Sequence, residues 1–395
     1  MHVINSYNTQ VQPFQNDHGK WQWTRADKAT RYAHYEADKR GETTLDDKER
    51  RSIELLKMAL SRAKKPVIAC SFGIDSIVTL YLARKALTEL GRDPSDIDIV
   101  WNDTKNEFPA VRSYSKEMIE LWNLRLIVTA PKRTLKKIID DNGGITSDYF
   151  TARKGDRRHG QPLSEKCCNT LKHEPMNRIK KEYDFDLNIN GTRADESRQR
   201  FLSSLRDGEY FYSSGTWKSM LCKPIMWWNE ADIWAYVERE SIPFNDLYRQ
   251  NLIQKYPEVV PEDLAKYFTE EEFASLRDRQ TQTVTRGQAI ILEKHGFKIF
   301  TPRTGCMMCP IPVKYGYLQW MRTYYPKVYD AMVHNLGYGA ALLDMVPQNV
   351  RDEIKEFTGV DITAEDAAEH LCEILEAKPC VFDAFETTKK KKGMG

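Results

Sequence analysis

The sequence has no run of 18 or more apolar residues, which excludes a membrane-spanning helix of ordinary length. Its opening, MHVINSYNTQVQPF, has neither the basic segment nor the apolar stretch of a secretory signal. An excess of one charge is also lacking, because 59 Lys and Arg face 57 Asp and Glu for a net charge of +2. That balance excludes binding of nucleic acid through overall charge, but not through a local basic groove. We therefore expect a cytoplasmic protein with no membrane partner.

Within the 395 residues, short apolar runs alternate with helical stretches. Strands are predicted at 66–70, 96–103, 124–130 and 186–193, and helices at 77–90, 108–123 and 227–242. A further helix, capped by Thr44 or Asp46, is predicted to run to about Ala63, and residues 1–45 are interpreted as an arm or a loose helical extension. Strands that alternate with helices of this length predict βαβ units, and hence an α/β fold with a parallel sheet.

The segment Cys70-Ser-Phe-Gly-Ile-Asp-Ser76 connects the first predicted strand to the next helix. A Ser/Gly turn here can aim backbone N–H groups at an anion, and the helix adds the positive end of its dipole. Gly73 allows a backbone conformation that bulkier residues avoid, while Ser71 and Ser76 can donate to phosphate oxygens. Asp75 suits a bound Mg²⁺ or an orienting hydrogen bond. The spacing does not fit the Walker loop GxxxxGK(S/T), and a plain strand–turn–helix connection stays the alternative.

Residues 131–166 break the alternation of strands and helices with a concentration of basic side chains. We interpret the stretch as a long basic loop over the ligand edge of the sheet, against the alternative of a solvated surface loop. Its basic residues are Lys132, Arg133, Lys136, Lys137, Arg153, Lys154, Arg157, Arg158 and His159.

The eight cysteines are Cys70, Cys167, Cys168, Cys222, Cys306, Cys309, Cys372 and Cys380. In a secreted chain they would indicate a disulfide framework, but nothing in the sequence indicates export. In a reducing compartment, the tandem pair at 167–168 and the CxxC pair at 306–309 indicate metal or redox chemistry. A tandem pair suits a small tetrahedral Zn²⁺ site poorly. An iron–sulfur cluster, a redox or sulfur-carrying thiol set and Zn²⁺ all stay open, and the other four cysteines are expected to be buried small hydrophobes.

Ser71-Phe-Gly-Ile-Asp-Ser76 resembles the SGGxDS pyrophosphate-binding loop (PP-loop) of the adenine-nucleotide α-hydrolase superfamily of ATP pyrophosphatases. Further segments resemble, in order, the motifs of its branch of adenosine phosphosulfate (APS) and phosphoadenosine phosphosulfate (PAPS) reductases. They are Asn106-Glu-Phe-Pro109, Lys166-Cys-Cys-Asn-Thr-Leu-Lys172, Gly191-Thr-Arg-Ala-Asp-Glu-Ser-Arg198, Cys222-Lys-Pro-Ile-Met-Trp-Trp with Ile242-Pro-Phe-Asn-Asp-Leu-Tyr248, and Gly305-Cys-Met-Met-Cys309. The ordered set spans about residues 55–312 and is specific even where single motifs are not.

The resemblance implies an adenine-nucleotide α-hydrolase fold: a Rossmann-like parallel sheet with a helical insertion and a helical C-terminal appendage. The predicted domains are an N-terminal extension at 1–45, a PP-loop nucleotide-binding domain at 46–248, a helical insertion at 249–304, a CxxC cluster segment at 305–324, and a helical appendage with a lysine-rich tail at 325–395.

For the site, the resemblance implies that a [4Fe–4S] cluster is held by Cys167, Cys168, Cys306 and Cys309. It assigns nucleotide binding to Ser71, Phe72, Gly73, Ile74, Asp75, Ser76, Gly191, Arg193 and Arg198. Asp75 would hold Mg²⁺, and Lys172 and Arg193 would stabilise charge at the α-phosphorus, which makes these three the catalytic residues. Surface ion pairs are the alternative for the two arginines.

Two departures from the family pattern bear on function. The reductases carry a nucleophilic Cys in a C-terminal ECGxH-type tail, whereas this chain reads Lys378-Pro-Cys380-Val-Phe-Asp. The pair Asp75-Ser76, from which PAPS reductases usually depart, is kept. In these respects the chain is more similar to the ATP-cleaving members, which include the cluster-bearing DNA-phosphorothioation proteins.

The leading interpretation is an ATP pyrophosphatase that activates a substrate as an adenylate for sulfur transfer, with DNA or tRNA as the acceptor. It would use a [4Fe–4S] cluster, Mg²⁺, ATP and a sulfur donor such as a cysteine desulfurase. One alternative is an APS or PAPS reductase that makes sulfite, with Cys380 or Cys372 as its nucleophile. Another is a nucleotide-binding subunit of a larger complex that has no catalytic activity.

Overall fold

The computed structural model describes residues 25–144, 165–213, 218–250, 299–309 and 317–339, with shorter pieces at 3–4, 10–11, 14–15, 21–22, 147, 252–253, 269–272, 291–292, 294, 352 and 355–356. The chain divides into two compact units. Unit 1 comprises Met1–Thr104, Pro109–Pro131 and Lys172–Asn245, and unit 2 comprises Lys105–Phe108, Lys132–Leu171 and Asp246–Gly395. The predicted nucleotide loop therefore belongs to unit 1, and the four predicted ligand cysteines belong to unit 2.

A six-stranded sheet forms the centre of unit 1. Its strands are β1 (Pro66–Ala69), β2 (Asp98–Asn102), β3 (Arg125–Thr129), β4 (Leu187–Asn190), β5 (Tyr210–Ser213) and β6 (Ser219–Cys222). Their spatial order is β3-β2-β1-β4-β6-β5, and every neighbouring pair is parallel except β6 with the edge strand β5. In the register, Ile68 lies between Ile99 and Ile189. The predicted α/β fold with a parallel sheet is confirmed.

The helices surround this sheet in unit 1 and supply most of the described structure of unit 2. They are α1 (Arg25–Lys39), α2 (Leu45–Arg62), α3 (Ile74–Glu89), α4 (Pro109–Trp122), α5 (Leu135–Asp141), α6 (Glu165–Cys168), α7 (Glu174–Tyr183), α8 (Arg198–Asp207), α9 (Glu230–Arg239), α10 (Tyr317–Tyr324) and α11 (Pro326–Asp330). Short π-helical segments cover Asn169–His173 and Ala331–Asn335, and a 3₁₀ turn covers Asp246–Arg249. No helix in the described ranges has both the length and the apolar character to cross a membrane.

Helices α2 and α3 show how the local sequence sets these elements. Thr44 caps α2, because its side chain accepts a hydrogen bond from the backbone N–H of Asp47 at 3.1 Å, as the sequence predicts. Helix α3 begins at Ile74, earlier than the predicted 77, since Gly73 serves as its N-cap. It is buried on nearly every side and packs against α2 and α9. This burial fixes the helix that follows the predicted nucleotide loop.

Helix α1 differs from the arm or loose helical extension predicted for residues 1–45. Arg31 is fully buried, and its Nη1 donates to the carbonyl oxygen of Leu205 at 2.5 Å, in the last turn of α8. The ring of Tyr35 lies 4.6 Å from that of Phe201 and 5.8 Å from that of Trp227. The aromatic and basic residues of this segment thus belong to the packing of unit 1, which a search for helical periodicity does not detect.

Two other regions differ from prediction, namely the pair β5–β6 of unit 1 and the basic stretch at 131–166. The antiparallel pair of β5 and β6 was not predicted, because four-residue strands are too short to show a period. The predicted basic loop at 131–166 contains the helix α5, capped by Thr134. In the described part of the chain, three pairs of two-residue strands lie outside the six-stranded sheet. They are Val3–Ile4 with Gln10–Val11, Phe14–Gln15 with Trp21–Gln22, and Leu252–Ile253 with Ile299–Phe300.

An aromatic cluster organises the described part of unit 2. Trp320 is fully buried, and its ring centroid lies 5.4 Å from that of Phe108 and 5.5 Å from that of Tyr317. Its Nε1 donates to the carbonyl oxygen of Gln250 at 2.5 Å, so the polar atom of the indole is satisfied within the cluster.

Candidate functional site

The order of the strands reverses at the junction of β1 and β4. Because β1, β2, β4 and β6 run parallel, their carboxyl ends meet at one edge of the sheet. Ligands of open α/β sheets bind at this edge, beside the point where the order reverses. Residues 70–76 follow β1 and residues 191–198 follow β4. The two predicted nucleotide segments therefore flank the switch point.

Phe72 carries the unusual backbone of the loop. Its φ of 55° lies in the left-handed region that a bulky residue rarely adopts. Its side chain is fully buried, and its ring meets Trp101 edge to face at 5.4 Å between centroids. Gly73 has an ordinary φ of −84°, so the special conformation predicted for this glycine belongs to Phe72 instead. Burial of the Phe72 ring holds the turn in this conformation.

The two serines of the loop differ in their surroundings. Ser76 is buried, and its Oγ donates to the carbonyl oxygen of Gly73 at 2.8 Å. Ser71 is exposed, and its Oγ lies 3.4 Å from the Oγ of Ser76. Ser76 therefore closes the turn from inside, whereas Ser71 presents its hydroxyl to solvent. Ile74 is buried beside them, and the first turn of α3 directs its backbone N–H groups toward the loop.

Gly191 allows β4 to approach the start of α3. A Cβ atom at this position would lie 2.7 Å from the carbonyl oxygen of Asp75 and 2.8 Å from Oγ1 of Thr79. These distances are too short for any larger residue, and the nearest atom belongs to backbone that cannot swing away. The glycine of the predicted 191–198 segment thus brings the two halves of the candidate site together.

Arg193 connects the segment after β4 to the segment after β1 through ion pairs. Its side chain is 3% exposed, with Nε 2.8 Å from Oδ1 of Asp75 and Nη1 2.7 Å from Oδ2 of Asp195. Burial raises the pKa of Asp195, and the Arg193 guanidinium opposes that shift. A guanidinium between two carboxylates orients both of them. Ion pairs were the alternative considered for Arg193, but they were expected at the surface and not from a buried side chain.

The rest of the 191–198 segment is anchored by backbone bonds. The N–H of Ala194 donates to the carbonyl oxygen of Met226 at 2.7 Å, and both residues are buried in one apolar cluster. Ser197 caps α8 by accepting from the N–H of Arg200 at 3.2 Å. Arg198, the first residue of α8, is exposed. The cap explains the serine of this motif, and the exposure leaves Arg198 accessible to a ligand.

Lys172 and the basic stretch complete the predicted positive charge. Lys172 is exposed in unit 1, and its carbonyl oxygen accepts from Nδ2 of Asn102, at the end of β2, at 3.3 Å. In unit 2, ion pairs join Arg133 and Lys137 to Asp141, at 3.1 Å each, and Lys136 to Asp140 at 2.8 Å. Acidic neighbours thus balance much of the described basic charge there, and Arg153, Lys154, Arg157, Arg158 and His159 lie outside the described residues.

The four predicted ligand cysteines have intermediate exposure and belong to unit 2. Burial raises the pKa of the Tyr338 hydroxyl, and the electrostatic influence of Cys167, Cys309 and Cys306 raises it further. The donor type fits an iron–sulfur site. No group of three or more His, Cys, Asp or Glu within the described ranges is arranged to hold a metal ion, however. Ligation of a cluster thus stays a prediction.

The remaining described cysteines have the surroundings of structural residues. Cys70 and Cys222 are 3% and 0% exposed, and burial raises the pKa of both thiols. A buried, protonated thiol is a poor nucleophile, as expected for small apolar residues. Cys372 and Cys380 lie outside the described residues.

Sequence reasoning missed the residues that hold the CxxC turn. Asn106 bonds to the backbone of Met307 and Met308, while Tyr317 and Tyr338 donate to the carbonyl oxygens of the same two residues. The only signal in the sequence was the position of Asn106 in a recognised motif, since the tyrosines lie after the matched region.

Comparison with known proteins gives a consistent picture. The phosphoadenosine phosphosulfate reductase domain family matches residues 65–312. The chain is similar to sulfate adenylyltransferase subunit 2 of Methylorubrum extorquens (strain PA1), with 30% identity over 224 residues that cover 52% of this chain and 66% of the relative. It thus spans just under two thirds of that relative. The same subunit of Ectopseudomonas mendocina (strain ymp) is 25% identical over 269 residues, covering 62% and 81%.

Solved structures also resemble this chain. The PAPS reductase of Candida auris in a phosphate complex has a TM-score of 0.37 and 18% identity, covering 50% of this chain and 82% of that one. The FMN adenylyltransferase of Candida glabrata with FMN and the ATP analog AMPCPP also has a TM-score of 0.37, with 14% identity and coverage of 67% and 88%.

Proposed function

Since this chain belongs to the phosphoadenosine phosphosulfate reductase domain family, which matches more than half of it, we propose that unit 1 is a PP-loop ATP pyrophosphatase. An acceptor oxygen attacks the α-phosphorus of ATP, the bond from that phosphorus to the bridging oxygen breaks, and pyrophosphate leaves. The acceptor is left as an adenylate. The similarity to adenylyltransferase subunits supports adenylyl transfer as the reaction.

The observation that carries the proposal is the pairing of Asp75 with the buried Arg193 beside the switch point. This pair orients the Asp75 carboxylate at the first turn of α3, where phosphates would meet the helix N-terminus. Mg²⁺ is commonly held by one or two carboxylates together with substrate phosphates. The partly exposed carboxylate of Asp75 fits that role, and the cation would neutralise charge on the leaving pyrophosphate.

The other residues of the site would bind the phosphates, supply positive charge or orient Asp75. Ser71, which is exposed, and the backbone N–H groups of the loop would bind phosphate oxygens. Lys172 and Arg198 are exposed and supply positive charge near the α-phosphorus. Arg193 acts through Asp75 and Asp195, because its guanidinium is already paired with both.

We further propose that the four cysteines of unit 2 hold a [4Fe–4S] cluster, which would supply thiophilic iron for binding sulfur. The donor type and the membership of all four cysteines in one compact unit support this assignment. We propose a reducing cytoplasm as the location, since no disulfide joins any two of the six described cysteines. A sulfur donor such as a cysteine desulfurase would act as a partner, and the subunit names of the relatives support assembly into a complex.

The proposed acceptor of sulfur is DNA or tRNA. Its support is the basic sequence at 131–159 and the insertion at 249–304, which would contact phosphates. Since Arg133, Lys136 and Lys137 pair with acids, binding would depend mainly on Arg153, Lys154, Arg157 and Arg158. Sulfate is the competing acceptor of the adenylyl group, by similarity to the sulfate adenylyltransferase subunits, and no sulfur would then be transferred to nucleic acid.

The test follows ATP directly. The full chain is incubated with Mg²⁺ and α-labelled ATP, with DNA, tRNA or sulfate added in turn, and pyrophosphate and labelled products are measured. Asp75→Asn should lower pyrophosphate release by about 100-fold or more. Asp93→Asn, a change in an exposed turn with Ser95, should leave it unaltered. Thiol-dependent sulfite release from APS or PAPS would instead establish a reductase, and inertness toward all three nucleotides would favour a binding subunit.

A second measurement tests the cluster. Protein purified without oxygen should contain iron and sulfide and absorb near 400 nm, and Cys167→Ala or Cys306→Ala should lose both signals. Cys222→Ala is the matched control, because this thiol is buried in unit 1. A colourless, iron-free preparation would reject the cluster while leaving the ATP reaction to be judged separately.

A further inference from the structure

The turn between Cys306 and Cys309 has both of its inner backbone N–H groups bonded to one residue. The N–H of Met307 donates to the carbonyl oxygen of Asn106 at 2.5 Å. The N–H of Met308 donates to Oδ1 of the same Asn106 at 3.2 Å. One asparagine thus accepts from both residues that separate the two thiols.

The two carbonyl oxygens of the turn are also bonded. Tyr317 donates its hydroxyl to the carbonyl oxygen of Met307, and Tyr338 donates to that of Met308 at 3.4 Å. All four inner backbone groups of the CxxC turn therefore have partners, and the partners come from three separate parts of unit 2. A turn bonded on both sides has few alternative conformations.

The partners are themselves held rigidly. Asn106 is 4% exposed, and Glu107 beside it forms a β-bridge with Cys306. Tyr317 and Tyr338 are 4% and 3% exposed. The Tyr317 ring also stacks on Trp320 with an angle of 21° between planes. Buried donors and acceptors of this kind fix a neighbouring group more firmly than exposed ones.

We propose that Asn106, Tyr317 and Tyr338 are positioning residues that pre-organise Cys306 and Cys309 as a two-thiol chelate for a thiophilic metal. The inference rests on the proposed function of the cysteines and deepens it. The turn is shaped before a metal binds, so these residues set how tightly metal is retained without touching it. Partners that orient metal ligands in this way typically contribute about 10- to 100-fold to affinity.

The test uses the full chain, purified without metal and titrated with Co²⁺, whose binding to thiolates gives a charge-transfer absorption. Asn106→Ala and Tyr338→Phe should each weaken Co²⁺ binding by about 10-fold. Asn106→Asp keeps an acceptor at Oδ1 and should recover most of the loss. Tyr325→Phe is the matched control, because Tyr325 packs in the same aromatic cluster with its ring 5.4 Å from Trp320.

Hydrogen exchange of the Met307 and Met308 amides, measured without metal, provides a second readout. Both amides should be protected in the parent protein and in Tyr325→Phe, and the Met308 amide should lose protection in Asn106→Ala and regain it in Asn106→Asp. Unchanged Co²⁺ affinity and unchanged exchange in Asn106→Ala and Tyr338→Phe would overturn the inference. If the parent protein binds no Co²⁺, the proposed thiol centre fails and so does the chelate, while amide exchange still reports whether Asn106 holds the turn.

Discussion

The nucleotide loop of unit 1 and the CxxC turn of unit 2 reach a defined shape by different means. The loop is held by packing: the Phe72 ring is fully buried, and Gly191 leaves no room beside Asp75. The turn is held by hydrogen bonds that it donates to Asn106 and accepts from two tyrosines. A loop shaped by packing and buried charge should respond strongly to steric or ionic changes. A turn shaped by several bonds should lose only a part of its stability when one bond is removed.

Removal of the buried Arg193 guanidinium should cause the largest loss of unfolding free energy. Arg193→Met leaves Asp75 and Asp195 without their shared partner, and we expect the free energy of unfolding to fall by about 3–5 kcal/mol. Urea unfolding at neutral pH measures the change. Adding Asp75→Asn to this variant should recover part of the loss, since one of the two carboxylates is then neutral. A loss below about 1 kcal/mol, the range of exposed pairs, would contradict our account of the site.

Adding one methyl group to a glycine in each unit compares how tightly the two glycines are packed. Gly191→Ala should lower the free energy of unfolding by about 1–3 kcal/mol, because its Cβ would overlap the backbone of Asp75. Gly305→Ala is the control in unit 2, since no atom lies within 4 Å of the added Cβ. That variant should stay within about 0.5 kcal/mol of the parent. Equal losses in the two variants would show that the packing difference does not exist.

Loss of one hydroxyl tests the hydrogen-bonded turn. Tyr317→Phe removes the bond to the carbonyl oxygen of Met307 and should cost about 1–2 kcal/mol of unfolding free energy. Tyr212→Phe, a change at an exposed tyrosine of unit 1, serves as the reference and should have almost no effect. If Tyr317→Phe proves as harmless as this reference, the tyrosine contributes packing alone.

The smallest effect concerns an exposed hydrogen-bond network at the start of α2. Hydrogen bonds from Arg50 and Thr44 lower the pKa of Asp47 to about 2. Because the folded pKa lies below the unfolded one, the stabilisation is present above about pH 4 and is lost as the pH falls toward 2. The difference in melting temperature between the parent and Asp47→Asn should therefore shrink from pH 5 to pH 3. A difference that stays constant would exclude this linkage.

The order of strands and helices could be predicted because it depends on local pattern. The apolar run that ends before Ser71 marks a strand end, and Thr44 or Asp46 marks a helix start, so both were recognisable within a few residues. The same holds for the two cysteine pairs. The strand predicted at 186–193 was too long at its end, since β4 ends at Asn190.

The packing of helix α1 was not predicted, since Arg31 and Tyr35 are explained only by contacts with α8 and the residues after β6. The pair β5–β6 was not predicted either, because its strands are too short to show a period.

The sequence by itself determined the fold class, the segments that follow β1 and β4, and the identity of the cysteine pairs. Turn chemistry, strand alternation and motif spacing act over short distances, and they do not depend on what the chain meets later. Only the tertiary structure decided that Phe72 rather than Gly73 bears the left-handed backbone and that Arg193 binds Asp75. It also decided that Asn106 bonds to the backbone of Met308, which lies 202 residues later in the chain. A buried charged or polar group needs a partner, and it can pair only with groups that the tertiary structure places next to it.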